Sequence, residues 1–127
     1  MGKRAIAADP LKAVGPYSLA IEADGTVYIS GQIHLDPATG QLVEGDMGAQ
    51  TRQCLENLKS ILAAAGLGFG DLVKTTVFLA DMADFPAMNA VYETYMTAPL
   101  PARSTIAVAG LPLGARVEIE AIAKAPS

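Results

Sequence analysis

The sequence predicts an α+β fold, in which one mixed sheet of five or six strands carries two helices on one of its faces. A chain of 127 residues has the usual length of one domain, here residues 1–127. Apolar residues recur at three- and four-residue spacing over residues 47–65 and 85–96, as in amphipathic helices. The other apolar segments are rich in β-branched residues and alternate with polar ones, which is typical of strands that bury one face.

The N-terminal third of the chain predicts a hairpin. Residues 1–13 have no strong periodicity and predict a short strand or a loosely held arm. Asp24-Gly25 is a hairpin-type dipeptide, and residues 27–33 follow it as a strand. Gly31 inside that strand predicts a bulge or a close approach of another group to the backbone. The alternation puts Val27, Ile29 and Ile33 on one face and Tyr28, Ser30 and Gln32 on the other.

Helix-capping residues mark the bounds of both helices. Asp46 is expected to cap the first helix, and Gly66 to follow its last turn. The second helix is expected to begin after Asp81 or Asp84. The remaining elements are a short strand at residues 41–43, a strand at residues 71–80 and two strands within residues 101–123.

The C-terminal stretch reads as two strands joined by a turn. A turn centred between residues 111 and 112 would place Arg103 opposite Glu120. The same register would place Thr105 opposite Glu118. In the second strand, Val117, Ile119, Ala121 and Ala123 share a core face, and Arg116, Glu118, Glu120 and Ile122 share the other.

The sheet face without helices is expected to take part in association. Tyr28, Phe78 and Ile106 or their neighbours would expose an apolar patch there. The chain is 51% hydrophobic and only 17% charged, against about 25% charged in an ordinary domain. We expect a closed ring of subunits to bury this face.

Composition disfavours several classes of protein. The net charge is −4 and no run of Lys or Arg exists, which disfavours nucleic acid as the main partner. No stretch approaches the roughly 20 apolar residues of a membrane span, and the N-terminus predicts no signal peptide. The single cysteine, Cys54, rules out an intrachain disulfide and favours a cytoplasmic location.

Two charged residues in the C-terminal strands are the leading candidates for chemistry. The guanidinium of Arg103 is a bidentate match for a substrate carboxylate, or it forms a salt bridge to Glu118 or Glu120. Glu118 is a candidate general base or water-positioning carboxylate, or one half of an ion pair on the strand face. Glu120 is the rival for either role.

Other reactive side chains predict less. His34 is the only histidine, and without a second His or Cys nearby it predicts no metal site and reads as a loop or strand-end residue. Cys54 falls on the apolar stripe of the first helix, where free cysteine acts as a small hydrophobe. Tyr17 and Tyr28 could face a ligand, although packing is the commoner role.

Taken together, the motifs resemble those of the RidA/YjgF family of reactive enamine/imine deaminases over roughly residues 13–123. No single motif is specific, but their order along the chain is. The resemblance rests on Gly15-Pro16-Tyr17-Ser18, Ser30-Gly31-Gln32-Ile33, Asp36-Pro37-Ala38-Thr39-Gly40, Ala49-Gln50-Thr51-Arg52-Gln53, Asn57-Leu58, Lys74-Thr75-Thr76-Val77-Phe78-Leu79, Asp84-Phe85, Asn89, Tyr92, Pro101-Ala102-Arg103-Ser104, Leu111-Pro112 and Val117-Glu118-Ile119-Glu120-Ala121.

The resemblance implies a chorismate-mutase-like fold and a homotrimer with ligand clefts between neighbouring subunits. It implies hydrolysis of short 2-imino acids, or their enamine tautomers, to 2-keto acids and ammonia without a cofactor. Such species, including 2-aminoacrylate and 2-aminocrotonate, damage pyridoxal-phosphate enzymes. Two further readings of the resemblance are a carboxylate-binding or chaperone-like trimer without catalysis, and an endoribonuclease or translation inhibitor.

The resemblance also assigns roles to single residues. Arg103 corresponds to the arginine that clamps the substrate carboxylate, and Glu118 to the acidic residue that positions or activates water. Tyr17 and the backbone around Gly31 correspond to the pocket wall, and Asn89 to a position near it. Some close relatives carry cysteine two residues after the arginine, where this chain has Thr105. The resemblance implies that Thr105 contacts the substrate.

Overall fold

The computed structural model describes residues 2–126, which form a six-stranded mixed sheet with two helices packed against it. The strands are β1 (Arg4–Ile6), β2 (Ala20–Ala23), β3 (Thr26–Ile33), β4 (Leu35–Asp36), β5 (Gln41–Leu42), β6 (Leu72–Leu79), β7 (Ala102–Ala107) and β8 (Val117–Lys124), and the helices are α1 (Met47–Ala64) and α2 (Phe85–Tyr95). The sheet order is β1-β2-β3-β8-β6-β7. The predicted fold class is confirmed, with one addition: β4 and β5 pair in a separate two-stranded sheet.

Helix α1 has the predicted ends. The Asp46 side chain accepts a hydrogen bond from the backbone N–H of Ala49 at 2.8 Å and so caps the first turn. Gly66, with a φ of 76°, follows the last turn in the left-handed conformation that glycine tolerates best. The apolar stripe between these ends, which includes Leu58 and Ile61, is fully buried against the sheet.

The predicted hairpin and bulge are both present in β3. Asp24 and Gly25 turn between β2 and β3 with φ values of 52° and 79°. The pairing of β3 with β8 shifts between Ile29 and Gln32, on either side of Gly31. After this bulge Gln32 pairs with Ile119 of the core face, whereas Ile33 pairs with Glu118. The predicted faces of Gln32 and Ile33 were therefore wrong, because the extra residue at the bulge reverses the alternation.

The predicted pairing of the two C-terminal strands was also wrong. Strand β7 pairs in parallel with β6, and β6 separates it from β8. Thr105 lies beside Val77, and Glu118 lies beside Phe78, so neither predicted cross-strand pair forms. The physical reason is that α2 returns the chain to the start of β6, which makes β6-α2-β7 a crossover unit with parallel strands.

Arg116 was placed on the wrong side of the sheet. It precedes β8, and its guanidinium hydrogen-bonds the Gln50 side chain of α1 at 3.1 Å and the Asp84 carboxylate at 3.2 Å. The rest of the predicted alternation in β8 is confirmed, since Val117, Ile119, Ala121 and Ala123 are buried.

The other face of the sheet is uncovered in the single chain. Tyr28 is 51% exposed and Ile106 is 45% exposed on it.

Neither helix among residues 2–126 is long and apolar enough to cross a membrane.

Candidate active site

The Arg103 side chain lies over aromatic rings of α2. Its guanidinium carbon is 4.7 Å from the ring centre of Tyr92 and 5.4 Å from that of Phe85. One terminal nitrogen donates a 2.7 Å hydrogen bond to the Asn89 side-chain oxygen. Within residues 2–126 no ion pair involves Arg103, so its proposed salt bridge to Glu118 or Glu120 does not form in the chain. The positively charged guanidinium can therefore bind an anionic ligand through its remaining N–H groups.

One face of α2 builds this arginine site. Phe85, Asn89 and Tyr92 are spaced by four and three residues, which aligns them on one helical face. Tyr92 is held in place by a hydrogen bond to β6, because its hydroxyl and the Thr75 hydroxyl lie 2.6 Å apart in the core. The sequence suggested only an apolar stripe for Phe85 and Tyr92. Their shared face with Asn89 is the signal that could have identified them.

Glu118, in β8, lies next to the bulge of the neighbouring strand β3. A side-chain carbon added at Gly31 would come within 2.7 Å of the Glu118 carboxyl carbon, so glycine is what admits the carboxylate. Burial raises the pKa of the Glu118 carboxyl above its ordinary value, and the nearby Glu120 carboxylate raises it further. A carboxyl group in this setting can take up and return a proton nearer to neutral pH.

A cavity of about 610 Å³ opens beside Glu118. Three of the six predicted site residues, Tyr17, Gly31 and Glu118, line this one cavity. Ile33 lines it as well. The Tyr17 ring is 47% exposed, and its hydroxyl accepts a 3.3 Å hydrogen bond from the backbone N–H of Val14. That bond closes the turn that the Gly15-Pro16 signal predicts and fixes the phenol at the cavity rim.

Arg103 and Asn89 line a different cavity, of about 390 Å³, next to α2. Arg103 shares a register position with Thr75 and Ala121, which are buried on the helix side of the sheet. Glu118 has the opposite orientation, at the register position of Phe78. The single chain therefore holds two half-sites, one around Arg103 and one around Glu118, on opposite faces of the sheet.

Thr105 follows Arg103 by two residues and faces the same way. Its hydroxyl oxygen is buried and has no hydrogen-bond partner in the described part of the chain. An unpaired buried hydroxyl is unfavourable, and Thr105 lines neither the Arg103 cavity nor the Glu118 cavity of the single chain.

The other reactive side chains have structural roles. His34 directly follows β3, as predicted, and is 3% exposed. Its Nδ1 lies 3.0 Å from the Val43 carbonyl oxygen, and its Nε2 accepts from the Arg116 backbone N–H at 3.0 Å. Cys54 is fully buried on α1, as predicted, and burial raises the pKa of its thiol. Residues 2–126 contain no cluster of three or more His, Cys, Asp or Glu side chains able to hold a metal ion.

Comparisons with known proteins identify the family. Residues 7–125 match the family described as endoribonuclease L-PSP. A Mus musculus protein named 2-iminobutanoate/2-iminopropanoate deaminase is 57% identical over 111 residues, which cover 87% of this chain and 82% of that protein. RidA from the Antarctic bacterium Psychrobacter sp. has a crystal structure that superposes with a TM-score of 0.91 at 45% identity, over 95% of this chain and 98% of that one. E. coli TdcF, crystallised with bound serine, gives a TM-score of 0.90 at 40% identity, over 97% and 99% of the two chains. The chain belongs to the endoribonuclease L-PSP family, which is also known as the YjgF/RidA family.

Proposed function

We propose that this protein is a 2-iminobutanoate/2-iminopropanoate deaminase, which hydrolyses short 2-imino acids and their enamine tautomers to 2-keto acids and ammonia. The observation that carries the proposal is the state of Arg103. Its guanidinium contacts two aromatic rings and one amide oxygen, and no carboxylate of the described residues pairs with it. Such a guanidinium is prepared for an external anion, and every 2-imino acid carries a carboxylate next to the reacting carbon.

The names of relatives support the same substrate class. Proteins named 2-iminobutanoate/2-iminopropanoate deaminase from Mus musculus and Homo sapiens are 57% and 51% identical to this chain. E. coli TdcF binds serine. Serine places a carboxylate and a nitrogen on the same carbon, as a 2-imino acid does.

In the proposed complex, Arg103 binds the substrate carboxylate through its free N–H groups. Asn89 holds the guanidinium in place through the 2.7 Å hydrogen bond. The Thr105 hydroxyl, which has no hydrogen-bond partner in the described part of the chain, is the proposed second donor to the same carboxylate. Tyr17 and the Gly31 backbone form the opposite wall, beside Glu118.

Glu118 is the proposed acid and base. It takes a proton from water while the water oxygen adds to the imine carbon, and the C=N electrons move to nitrogen. The proton returned to nitrogen gives a neutral tetrahedral carbinolamine. Glu118 then moves the hydroxyl proton to nitrogen, the C–N bond breaks, and ammonia leaves as the C=O bond forms. Water balances the reaction, which needs no electron transfer, and the high intrinsic reactivity of imines makes positioning the main requirement.

The complete site is proposed to form between subunits of a homotrimer. Arg103 and Glu118 have opposite orientations in one chain, so a substrate that touches both must lie between copies. The uncovered face, with Tyr28 and Ile106 exposed, is the surface that a ring of three copies would bury. Each cleft would then take its arginine from one subunit and its glutamate from the next.

In the cell, this activity would remove 2-aminoacrylate and related species before they modify pyridoxal-phosphate enzymes. We propose a cytoplasmic location, where such species arise from pyridoxal-phosphate dehydratases. No cofactor is part of the proposal.

The family description also raises endoribonuclease activity. The net charge of −4 and the buried, hydrogen-bonded His34 favour the deaminase over this alternative. A ring that binds carboxylates without catalysis is the other alternative, and a turnover assay separates it from the enzyme.

The direct test generates 2-aminoacrylate from serine with a dehydratase and follows its loss in the presence of the protein. We expect loss well above the rate in buffer, with pyruvate and ammonia in equal amounts. Loss at the buffer rate, with carboxylate binding retained, would favour the binding protein. RNA cleavage that survives repeated purification and disappears in a site variant would favour the ribonuclease.

A further inference from the structure

We infer that Arg116 is a positioning residue that ties the Glu118 half-site to the Arg103 half-site within each subunit, an inference that rests on the proposed function. Arg116 lies two residues before Glu118, outside the cavities that either catalytic candidate lines. We therefore assign it a role that acts through the segments that it joins.

The backbone of Arg116 fixes the start of β8. Its N–H donates to His34 Nε2 at 3.0 Å, and its carbonyl oxygen accepts from the Ala80 N–H at 3.0 Å. These bonds hold the strand between the end of β3 and the end of β6. Together with the pairing of Glu118 to Ile33 and Phe78, they set where Glu118 lies relative to β3 and β6.

The side chain of Arg116 reaches the helix layer. Its guanidinium bonds the buried Gln50 side chain at 3.1 Å and both carboxylate oxygens of Asp84 at 3.2 Å. Asp84 immediately precedes α2, and the first residue of α2, Phe85, has its ring under the Arg103 guanidinium. Asn89, one turn further on, holds the same guanidinium.

A path thus runs from Glu118 along the backbone to Arg116, and from the Arg116 side chain through Asp84 to the residues that hold Arg103. The ion pair itself is partly exposed, with side-chain exposures of 41% and 23%, so it adds little to overall stability. Its consequence is geometric, since it sets the distance between β8 and the first turn of α2. In the proposed trimer each subunit gives Arg103 to one cleft and Glu118 to another, so a shift of α2 against β8 would misplace one of the two groups in every cleft. Small misplacements of reacting groups cost large factors in rate, and a planar, forked guanidinium fixes this spacing in a way that a lysine would not.

The test compares Arg116→Met, Arg116→Lys and Asp84→Asn with wild type, in steady-state turnover and in 2-oxobutanoate binding by calorimetry. We expect Arg116→Met to lower kcat and raise KM together, for a loss in kcat/KM of about tenfold or more. Asp84→Asn acts on the α2 side alone and should mainly raise KM. Arg116→Lys should recover part of the loss, and a variant with both Arg116→Met and Asp84→Asn should be no worse than Arg116→Met alone.

Arg4→Met is the matched control. It removes another Arg–carboxylate pair of the same 3.2 Å length, Arg4–Glu22, at the far edge of the sheet. We expect its kinetics to equal those of wild type.

The inference is overturned if Arg116→Met lowers the melting temperature but leaves kcat, KM and 2-oxobutanoate affinity of the folded protein unchanged, since Arg116 would then be merely structural. Wild type that binds 2-oxobutanoate without turnover, with weaker binding by Arg116→Met, would reject the deaminase proposal and keep the positioning role. Wild type that neither binds nor turns over would overturn both.

Discussion

Arg103 and Glu118 lie on opposite faces of the same sheet. Arg103 shares its register position with Thr75, which is fully buried under the helices. Glu118 shares its position with Phe78, on the side without helices. The two groups that the proposed reaction needs therefore cannot meet in one chain, and in the proposed trimer a substrate that contacts both would lie between two copies.

The first prediction concerns the carboxylate clamp. Arg103→Ala should lower kcat/KM for 2-imino acids by about 10²-fold, because the substrate loses the charged contact that orients it. Arg52→Ala is the matched control, since Arg52 is an exposed arginine on α1 outside both half-sites. Turnover and the mass of the assembly should be measured together. An Arg103→Ala protein with the assembly of wild type and unchanged kcat/KM would remove Arg103 from the mechanism.

The second prediction concerns Glu118. Glu118→Gln keeps the shape of the side chain but removes its ability to accept a proton, so kcat should fall by about 10²- to 10⁴-fold. Activity in wild type should need the ionised carboxylate, so kcat/KM should fall as pH drops through its pKa. Because burial and Glu120 raise that pKa, the acid limb should lie above the ordinary value for glutamate.

Glu120→Gln provides the check on the second prediction. Removing the neighbouring negative charge should lower the pKa of Glu118 and move the acid limb of the pH profile to lower pH. The acid limb should not return to the ordinary value for glutamate, since burial is the larger cause of the raised pKa and remains in the variant. An acid limb that stays in place would assign the profile to another group.

The third prediction tests the close approach at the bulge. Gly31→Ala adds a side-chain carbon within 2.7 Å of the Glu118 carboxyl carbon, so the carboxylate must move. We expect a large loss of kcat with the fold retained. Gly70→Ala is the control, because a side-chain carbon there meets no atom within 4 Å. Equal activity of the two variants would show that the position of Glu118 is not critical.

The fourth prediction concerns stability and pH at His34. Burial is the main reason that the pKa of His34 is lowered below 6.5 in the folded protein, and the neutral ring accepts the Arg116 N–H. The unfolded chain therefore binds the proton more readily, so this contribution is complete above about pH 6.5 and is lost as pH falls through the folded pKa. Melting temperatures from about pH 7.5 to 5 should fall more steeply in wild type than in His34→Gln. Parallel curves would contradict this assignment.

Local signals in the sequence predicted most of the fold correctly. Asp46 marked the start of α1, and Asp24-Gly25 marked the hairpin, because each acts through its own backbone neighbours. The alternation in β8 identified its buried face, because burial follows a two-residue period.

Predictions that depended on distant parts of the chain were less successful. The pairing of β7 with β6 is set by the crossover through α2, which no short pattern around Arg103 reveals. The aromatic support of Arg103 by Tyr92 depends on that same pairing. The reversal after Gly31 required knowing that its bulge inserts one residue, which glycine alone does not specify.

The most direct test of the central claim is complementation between two inactive proteins. Arg103→Ala and Glu118→Gln subunits are unfolded together, refolded as a mixture and assayed against each protein refolded alone. If each cleft takes Arg103 from one copy and Glu118 from another, random mixing should restore about a quarter of the wild-type clefts. The mixture should therefore be far more active than either variant. Activity that stays at the level of the separate variants, in assemblies shown to be mixed, would contradict a site shared between subunits.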